Sequence, residues 1–219
     1  MICFVIALQS EANSLLDRVE NLKEIKLADK KAYTCTLCGT ETVIAISGIG
    51  KVSAALTTQL LIDKYSPEYI FNFGTCGGMN ESVQILKYYA IEKCCQYDFD
   101  LSELDNVPVG YIQEYDTVYF STYTKGLDFL EKRNLASADK FTNKEKDIAL
   151  INSMNCSVCD MEGGAIAQVC TSNKTPVVIV KGISDVYGSN TQSEQLVANL
   201  ATDGAQFPEI IKKVVKHYK

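Results

Sequence analysis

The sequence predicts one α/β domain, residues 1–219, built on a largely parallel or mixed central sheet. Short apolar runs alternate with amphipathic, helix-like segments along the whole chain, the pattern of helices laid against a sheet. No repeat, low-complexity tract or linker interrupts that alternation, and 219 residues are enough to bury a sizeable core.

Taken in order, residues 2–7 read as an apolar first strand. Ser10 is the expected N-cap of a helix over residues 11–19, with Leu15, Leu16 and Val19 on one face. Residues 31–37 and 42–46 form a hairpin around Cys38-Gly39-Thr40-Glu41. Ser47-Gly48-Ile49-Gly50 breaks the pattern before an amphipathic helix over residues 51–64, which stops ahead of Pro67. A buried strand over residues 69–73 runs into Gly74-Thr75-Cys76-Gly77-Gly78, and residues 88–97 are extended and rich in tyrosine, isoleucine and cysteine. A polar loop covers residues 98–115, and helices are expected over 125–132 and 143–152 with a strand, 135–141, between them. The last third repeats the logic: strand 158–161, helix 163–170, strand 176–183, and a helical region over 193–217.

Composition narrows the function. Twenty-one basic against 27 acidic side chains give a net charge of −6, which argues against a nucleic-acid partner. No run approaches the roughly 18 to 20 apolar residues of a membrane span. The start of the chain lacks the basic region of a signal peptide, so the expected location is cytoplasmic. The nine cysteines, an odd count sitting largely in strand-like runs, read as reduced, buried thiols.

Open α/β sheets bind ligands beyond the carboxyl ends of their strands, so the chemistry is sought there. Gly48-Ile49-Gly50-Lys51-Val52-Ser53 imitates a dinucleotide fingerprint. Its third glycine is replaced by Ser53, and the next strand ends without an acidic residue for a ribose hydroxyl, leaving a tight strand-to-helix turn. A phosphate loop of the Gly-x-x-x-x-Gly-Lys-Ser/Thr type is absent. Cys35 with Cys38, and Cys156 with Cys159, have half-zinc-site spacing, but residues three apart on a strand face opposite ways and cannot chelate together; no metal is expected. The single histidine, His217, lies near the C-terminus, so histidine-based nucleophilic catalysis lacks its base.

Carboxylates remain. Glu11 follows the first strand and is either a helix-start glutamate or a pocket residue. Glu162 stands between a strand and the small-residue helix start Gly163-Gly164-Ala165, suited to close approach to a ligand or to capping. Asp185 closes the most apolar strand, where an N-cap is the alternative. Three acids at three strand ends exceed ordinary capping needs, and paired acids are the usual apparatus for proton transfer around a glycosidic bond.

Five segments, in order and spacing, resemble the nucleoside phosphorylase and nucleosidase superfamily, and within it the 5′-methylthioadenosine/S-adenosylhomocysteine nucleosidases. They are Ala7-Leu8-Gln9-Ser10-Glu11, Ser47-Gly48-Ile49-Gly50-Lys51-Val52, Gly74-Thr75-Cys76-Gly77-Gly78, Asp160-Met161-Glu162-Gly163 and Ile183-Ser184-Asp185, with Ser137-Ala138-Asp139-Lys140-Phe141 between the third and fourth. The resemblance implies a three-layer α/β/α fold with a central mixed twisted sheet. It implies a cofactor-free hydrolase that releases adenine from 5′-modified adenosines such as methylthioadenosine, S-adenosylhomocysteine or 5′-deoxyadenosine.

In the matching positions Glu11 would activate water, Glu162 would bind the ribose hydroxyls and Asp185, supported by Ser184, would act at purine N7. Met161 would pack on the ribose, Phe141 on the base, and backbone groups of Phe141 and Thr142 would read the base edge. Ala7, Thr75, Cys76 and Gly77 would line the pocket and Leu101 would approach the sugar. Family members are homodimers, so Val107 and Pro108 would enter from the partner to complete the 5′ pocket. Asn72 stands where phosphorylases of the superfamily carry a phosphate-binding arginine, which favours water over phosphate as the nucleophile. The alternatives are a purine nucleoside phosphorylase, a deoxyfutalosine-type hydrolase, and a non-catalytic nucleoside-binding or storage protein of the same fold.

Overall fold

The computed structural model describes residues 1–187 and 207–218. Ten strands are described: β1 (Ile2–Ile6), β2 (Glu20–Leu27), β3 (Lys30–Leu37), β4 (Thr40–Ile46), β5 (Tyr69–Gly78), β6 (Tyr88–Gln96), β7 (Phe120–Ser121), β8 (Glu131–Ser137), β9 (Val158–Asp160) and β10 (Val177–Val186). Helices α1 (Gln9–Leu16), α2 (Lys51–Tyr65), α3 (Ser102–Asp105), α4 (Glu145–Ser153), α5 (Gly163–Ser172) and α6 (Phe207–His217) are interleaved with them. The strands make one mixed sheet in the order β10-β6-β8-β9-β5-β1-β4-β3-β2, with β7 on β6 and an added pairing of β10 to β5 that closes the first five strands on themselves.

Near-continuous apolar runs are what a strand covered on both faces requires. Cys3, Val5, Ile70 and Ile179 pack with Ala54 and Leu61 of α2 and Ile166 and Ala167 of α5. Their sequence neighbours Phe4, Ile6, Phe71 and Val178 face the other way, onto Leu15 of α1 and Ile211 and Val214 of α6. The result is the three-layer α/β/α arrangement expected, with the Phe4 and Phe71 rings stacked 5.0 Å apart in one layer.

Four expectations are corrected. β2 was not anticipated: Glu20–Leu27 is charged and mostly exposed, and it is held at the sheet edge by pairing with β3, so no apolar alternation marks it. Residues 125–132 are not a helix, because Leu127 and Leu130 are buried in turns beneath the α6 layer and β8 begins at Glu131. β8 then ends at Ser137, which leaves Phe141 on the following loop. α1 begins at Gln9, one residue before the expected cap Ser10. Of the expected final helix, residues 193–206 lie outside the described residues.

Parallel pairing of β4, β1, β5 and β10 brings their carboxyl ends to one edge. β5 runs on through its glycines because β10 pairs with it as far as Gly78 and β9 adds Gly77↔Cys159. A register slip between Ile183 and Asp185 sets Asp185 opposite Gly77.

Candidate active site

Glu11 lies in the first turn of α1, where the helix dipole favours a carboxylate. One oxygen accepts the Leu8 N–H at 3.1 Å, as a helix-start glutamate would. The other accepts both the Thr75 N–H and the Thr75 hydroxyl at 2.9 Å. The two alternatives for this residue thus describe the same side chain. Gly74 gives it room, since a Cβ there would lie 3.0 Å from the carboxylate oxygen.

Glu162 occupies the N-cap position of α5, but its side chain does not cap the helix. Asp160 does: its carboxylate accepts the N–H of Glu162 at 3.2 Å, the N–H of Gly163 at 2.9 Å and the Ser137 hydroxyl at 2.5 Å. Relieved of that task, Glu162 accepts the Gly50 N–H at 2.9 Å. Burial, and then the neighbouring charge of Asp160, push its carboxyl up to about 7, against the opposing pull of Lys181 and the Gly50 amide.

Lys181, on β10, is the functional candidate that sequence reasoning missed. Its ammonium lies 2.9 Å from Asp160 Oδ2 in a buried ion pair. Burial by itself would lower its pKa, but Asp160 and Glu162 outweigh that and hold it protonated. The signal was available: a lysine directly after the apolar run Val177-Val178-Ile179-Val180, in the same strand, needs a buried acid to answer it.

Asp185 is 2% exposed and lies within β10 rather than beyond it. The Ser184 hydroxyl donates to its Oδ1 at 2.7 Å, with the Cys76 carbonyl 3.2 Å away.

These carboxylates line one cleft of about 780 Å³, counting the part open to solvent, together with Ala7, Thr75, Cys76, Gly77, Phe141, Thr142, Met161 and Ser184. Leu8, Ile49, Met79, Lys140 and Cys159 also line it, none of them anticipated as site residues. Phe141 is 47% exposed at the cleft, an uncovered aromatic face. Cys159 touches the Thr142 hydroxyl at 3.1 Å, and burial raises its thiol to about 12, which removes it as a thiolate nucleophile. Leu101 and Val107 lie apart from the cleft, around a second cavity with Asp105, Tyr111 and Gln113, and Pro108 accepts a turn hydrogen bond from Tyr111 beside it.

The chain belongs to the phosphorylase superfamily, whose family model matches residues 1–218. Within that class it is similar to the 5′-methylthioadenosine/S-adenosylhomocysteine nucleosidase of Buchnera aphidicola, 30% identical over 223 residues that cover 96% of this chain and 94% of the relative. The Colwellia psychrerythraea nucleosidase of the same name, solved in complex with adenine, superposes with a TM-score of 0.83 at 26% identity, covering 94% of this chain and 91% of that one. The futalosine hydrolase of Helicobacter pylori shares the fold, with a TM-score of 0.89 at 24% identity over 99% of this chain and 97% of its own.

Proposed function

We propose that this protein hydrolyses the N-glycosidic bond of 5′-substituted adenosines, releasing adenine. The observation that carries the reading is the convergence of Glu11, Glu162 and Asp185 on one cleft that ends in an exposed aromatic face. Cleavage through an oxocarbenium-like transition state needs an oriented water, an anion near the sugar and a hydrogen-bond or proton donor for the departing base. Glu11, anchored by Thr75, orients and deprotonates the water. Glu162 binds the ribose hydroxyls, with Met161 packed on the sugar. Asp185, held by Ser184, serves purine N7, while Phe141 stacks on the base and the Phe141 and Thr142 backbones meet its edge. Ala7, Cys76 and Gly77 shape the floor.

Water rather than phosphate is the nucleophile. Asn72 turns its amide to the Val5 carbonyl at 2.9 Å and offers no charge. Among the described residues lining the cleft Lys140 is the one cation, and it is paired with Asp147 at 2.9 Å. Acidic side chains at Glu11, Asp160, Glu162 and Asp185 repel an anion.

The working unit in this reading is a homodimer in the cytoplasm. Val52 and Leu56 of α2, with Ile49 just ahead of it, leave an uncovered apolar stripe in which Val52 is 79% exposed, and Leu104 of α3 is 81% exposed. A second copy would cover the stripe and bring Val107 and Pro108 toward the cleft of its neighbour. All nine cysteines are free thiols, as a reducing compartment favours. Among the described residues no helix is long and apolar enough to cross a membrane.

Adenine release from methylthioadenosine, followed without phosphate and again with it, tests the reading. Release in phosphate-free buffer is expected. Release only with phosphate would make the protein a phosphorylase, and no release from methylthioadenosine together with cleavage of a futalosine-type nucleoside would move it to the hydrolase reading of the same fold.

A further inference from the structure

The turn Gly48-Ile49-Gly50-Lys51, which in sequence resembles half a dinucleotide site, faces the cleft for another reason. Gly50 adopts φ +98°, a conformation open to glycine, and its N–H is the one that reaches Glu162 Oε1 at 2.9 Å. The next residue is held from two directions. The Lys51 N–H donates to Asp139 Oδ1 at 2.7 Å, and the Lys51 ammonium pairs with Asp98 Oδ1 at 2.5 Å. Asp98 closes the ring by accepting the Asp139 N–H on its other oxygen at 2.9 Å. Asp98 follows β6, Asp139 follows β8 and Lys51 opens α2, so three separate elements are tied together within one residue of the Gly50 amide. The fit is close, for a Cβ on Gly50 would lie 3.0 Å from Asp139 Oδ1.

We propose that Asp139 and Asp98, acting through Lys51, are positioning residues that hold the Gly50 amide against Glu162 and so set the orientation and ionisation of the carboxylate that grips the sugar. The proposal rests on the nucleosidase reading and on the role of Glu162 in it. Neither aspartate touches Glu162. The charged groups that do face it are Asp160 from β9, Lys181 from β10 and Glu11 from α1, and the Gly50 amide is the donor from the turn. With three of these carried by the sheet and by α1, the amide is the one contribution whose placement depends on a surface latch. Freed from the latch, the turn no longer presents the amide, and Glu162 keeps its proton to higher pH.

The test is the pH profile of kcat/KM for methylthioadenosine in Asp139→Ala, Asp139→Asn and Asp98→Asn, with melting curves to confirm folding. In Asp139→Ala the acid limb should move up by about one pH unit. Activity at pH 6 should then fall about tenfold, while activity at pH 9 stays within about threefold of the parent. Asp139→Asn keeps an oxygen for the Lys51 amide and should return most of the way to the parent profile. Asp98→Asn, which keeps the side-chain shape, should move the limb in the same direction by less and carries the test should Asp139→Ala not fold. A uniform loss at every pH with the limb in place in the folded variants overturns the proposal and leaves the nucleosidase reading intact. Undiminished turnover in Glu162→Gln would instead remove the reading on which it rests.

Discussion

Lys181 and Asp160 form an ion pair of 2.9 Å whose two side chains are 3% and 2% exposed. Asp160 is at the same time the cap of α5 and a wall of the cleft, so one buried charge pair joins the fold to the site. Removing one partner of such a pair leaves an uncompensated charge, while removing both can be nearly neutral. Lys181→Met is expected to destabilise the protein by about 3–5 kcal/mol in urea denaturation. Adding Asp160→Asn should recover part of that loss, and an additive double variant would show that the pair is not coupled.

Glu11→Gln and Asp185→Asn should each keep the fold and lose turnover by about 10²–10⁴-fold, the range for a positioned acid or base. Steady-state kinetics beside a far-ultraviolet circular dichroism spectrum separates the two effects. Near-parent turnover in either variant would take that residue out of the catalytic role.

The carboxyl of Glu162, raised by burial and by Asp160 from an ordinary value of 4.5 to about 7, makes stability depend on pH. Between those values the folded protein holds a proton that the unfolded chain has released, so stability falls as pH rises through this window. The span corresponds to about 3 kcal/mol. Denaturant titrations between pH 4.5 and 7 should show that decline in the parent and a flatter profile in Glu162→Gln. Equal slopes in the two proteins would count against the raised carboxyl. On the role proposed for Glu162 activity runs the other way, because the ionised form would bind the sugar, and kcat/KM should climb through the same window.

Val52→Glu places a charge in the exposed apolar stripe of α2, where Val52 is 79% exposed. The variant should sediment as a monomer, with its cleft lacking the partner's contribution and kcat/KM reduced about tenfold or more. A parent protein that already sediments as a monomer at micromolar concentration would remove the dimer from the reading.

Much of the fold was legible because both sheet faces are covered: β1, β5 and β10 carry near-continuous apolar runs that need no tertiary knowledge to recognise. β2 was not legible, since an edge strand with solvent on its faces keeps charged residues and owes its existence to hydrogen bonds with β3. Residues 125–132 misled for the converse reason. Leu127 and Leu130 have helical spacing, yet their burial comes from α6, far along the chain.

At the site, Glu11, Glu162 and Asp185 stood out by their place at strand ends, a property of the local sequence. Which carboxylate is drawn into capping and which is left to face the cleft follows from long-range geometry. Asp160 and Glu162 are near neighbours of the same type, and the Ser137 hydroxyl, Lys181 and the α5 amides draw Asp160 into capping while Gly50 draws Glu162 toward the cleft. The sequence alone determined the alternation of strands and helices, the acidic balance and the carboxylates at the strand ends, because burial and local propensity act over a few residues. Only the tertiary structure decided the closure of β10 onto β5, the pairing of Lys181 with Asp160 and the latch of Lys51 with Asp98 and Asp139. Those contacts join residues far apart in the chain, and the strength of the Lys181–Asp160 pair depends on a burial that exists only once the sheet has formed.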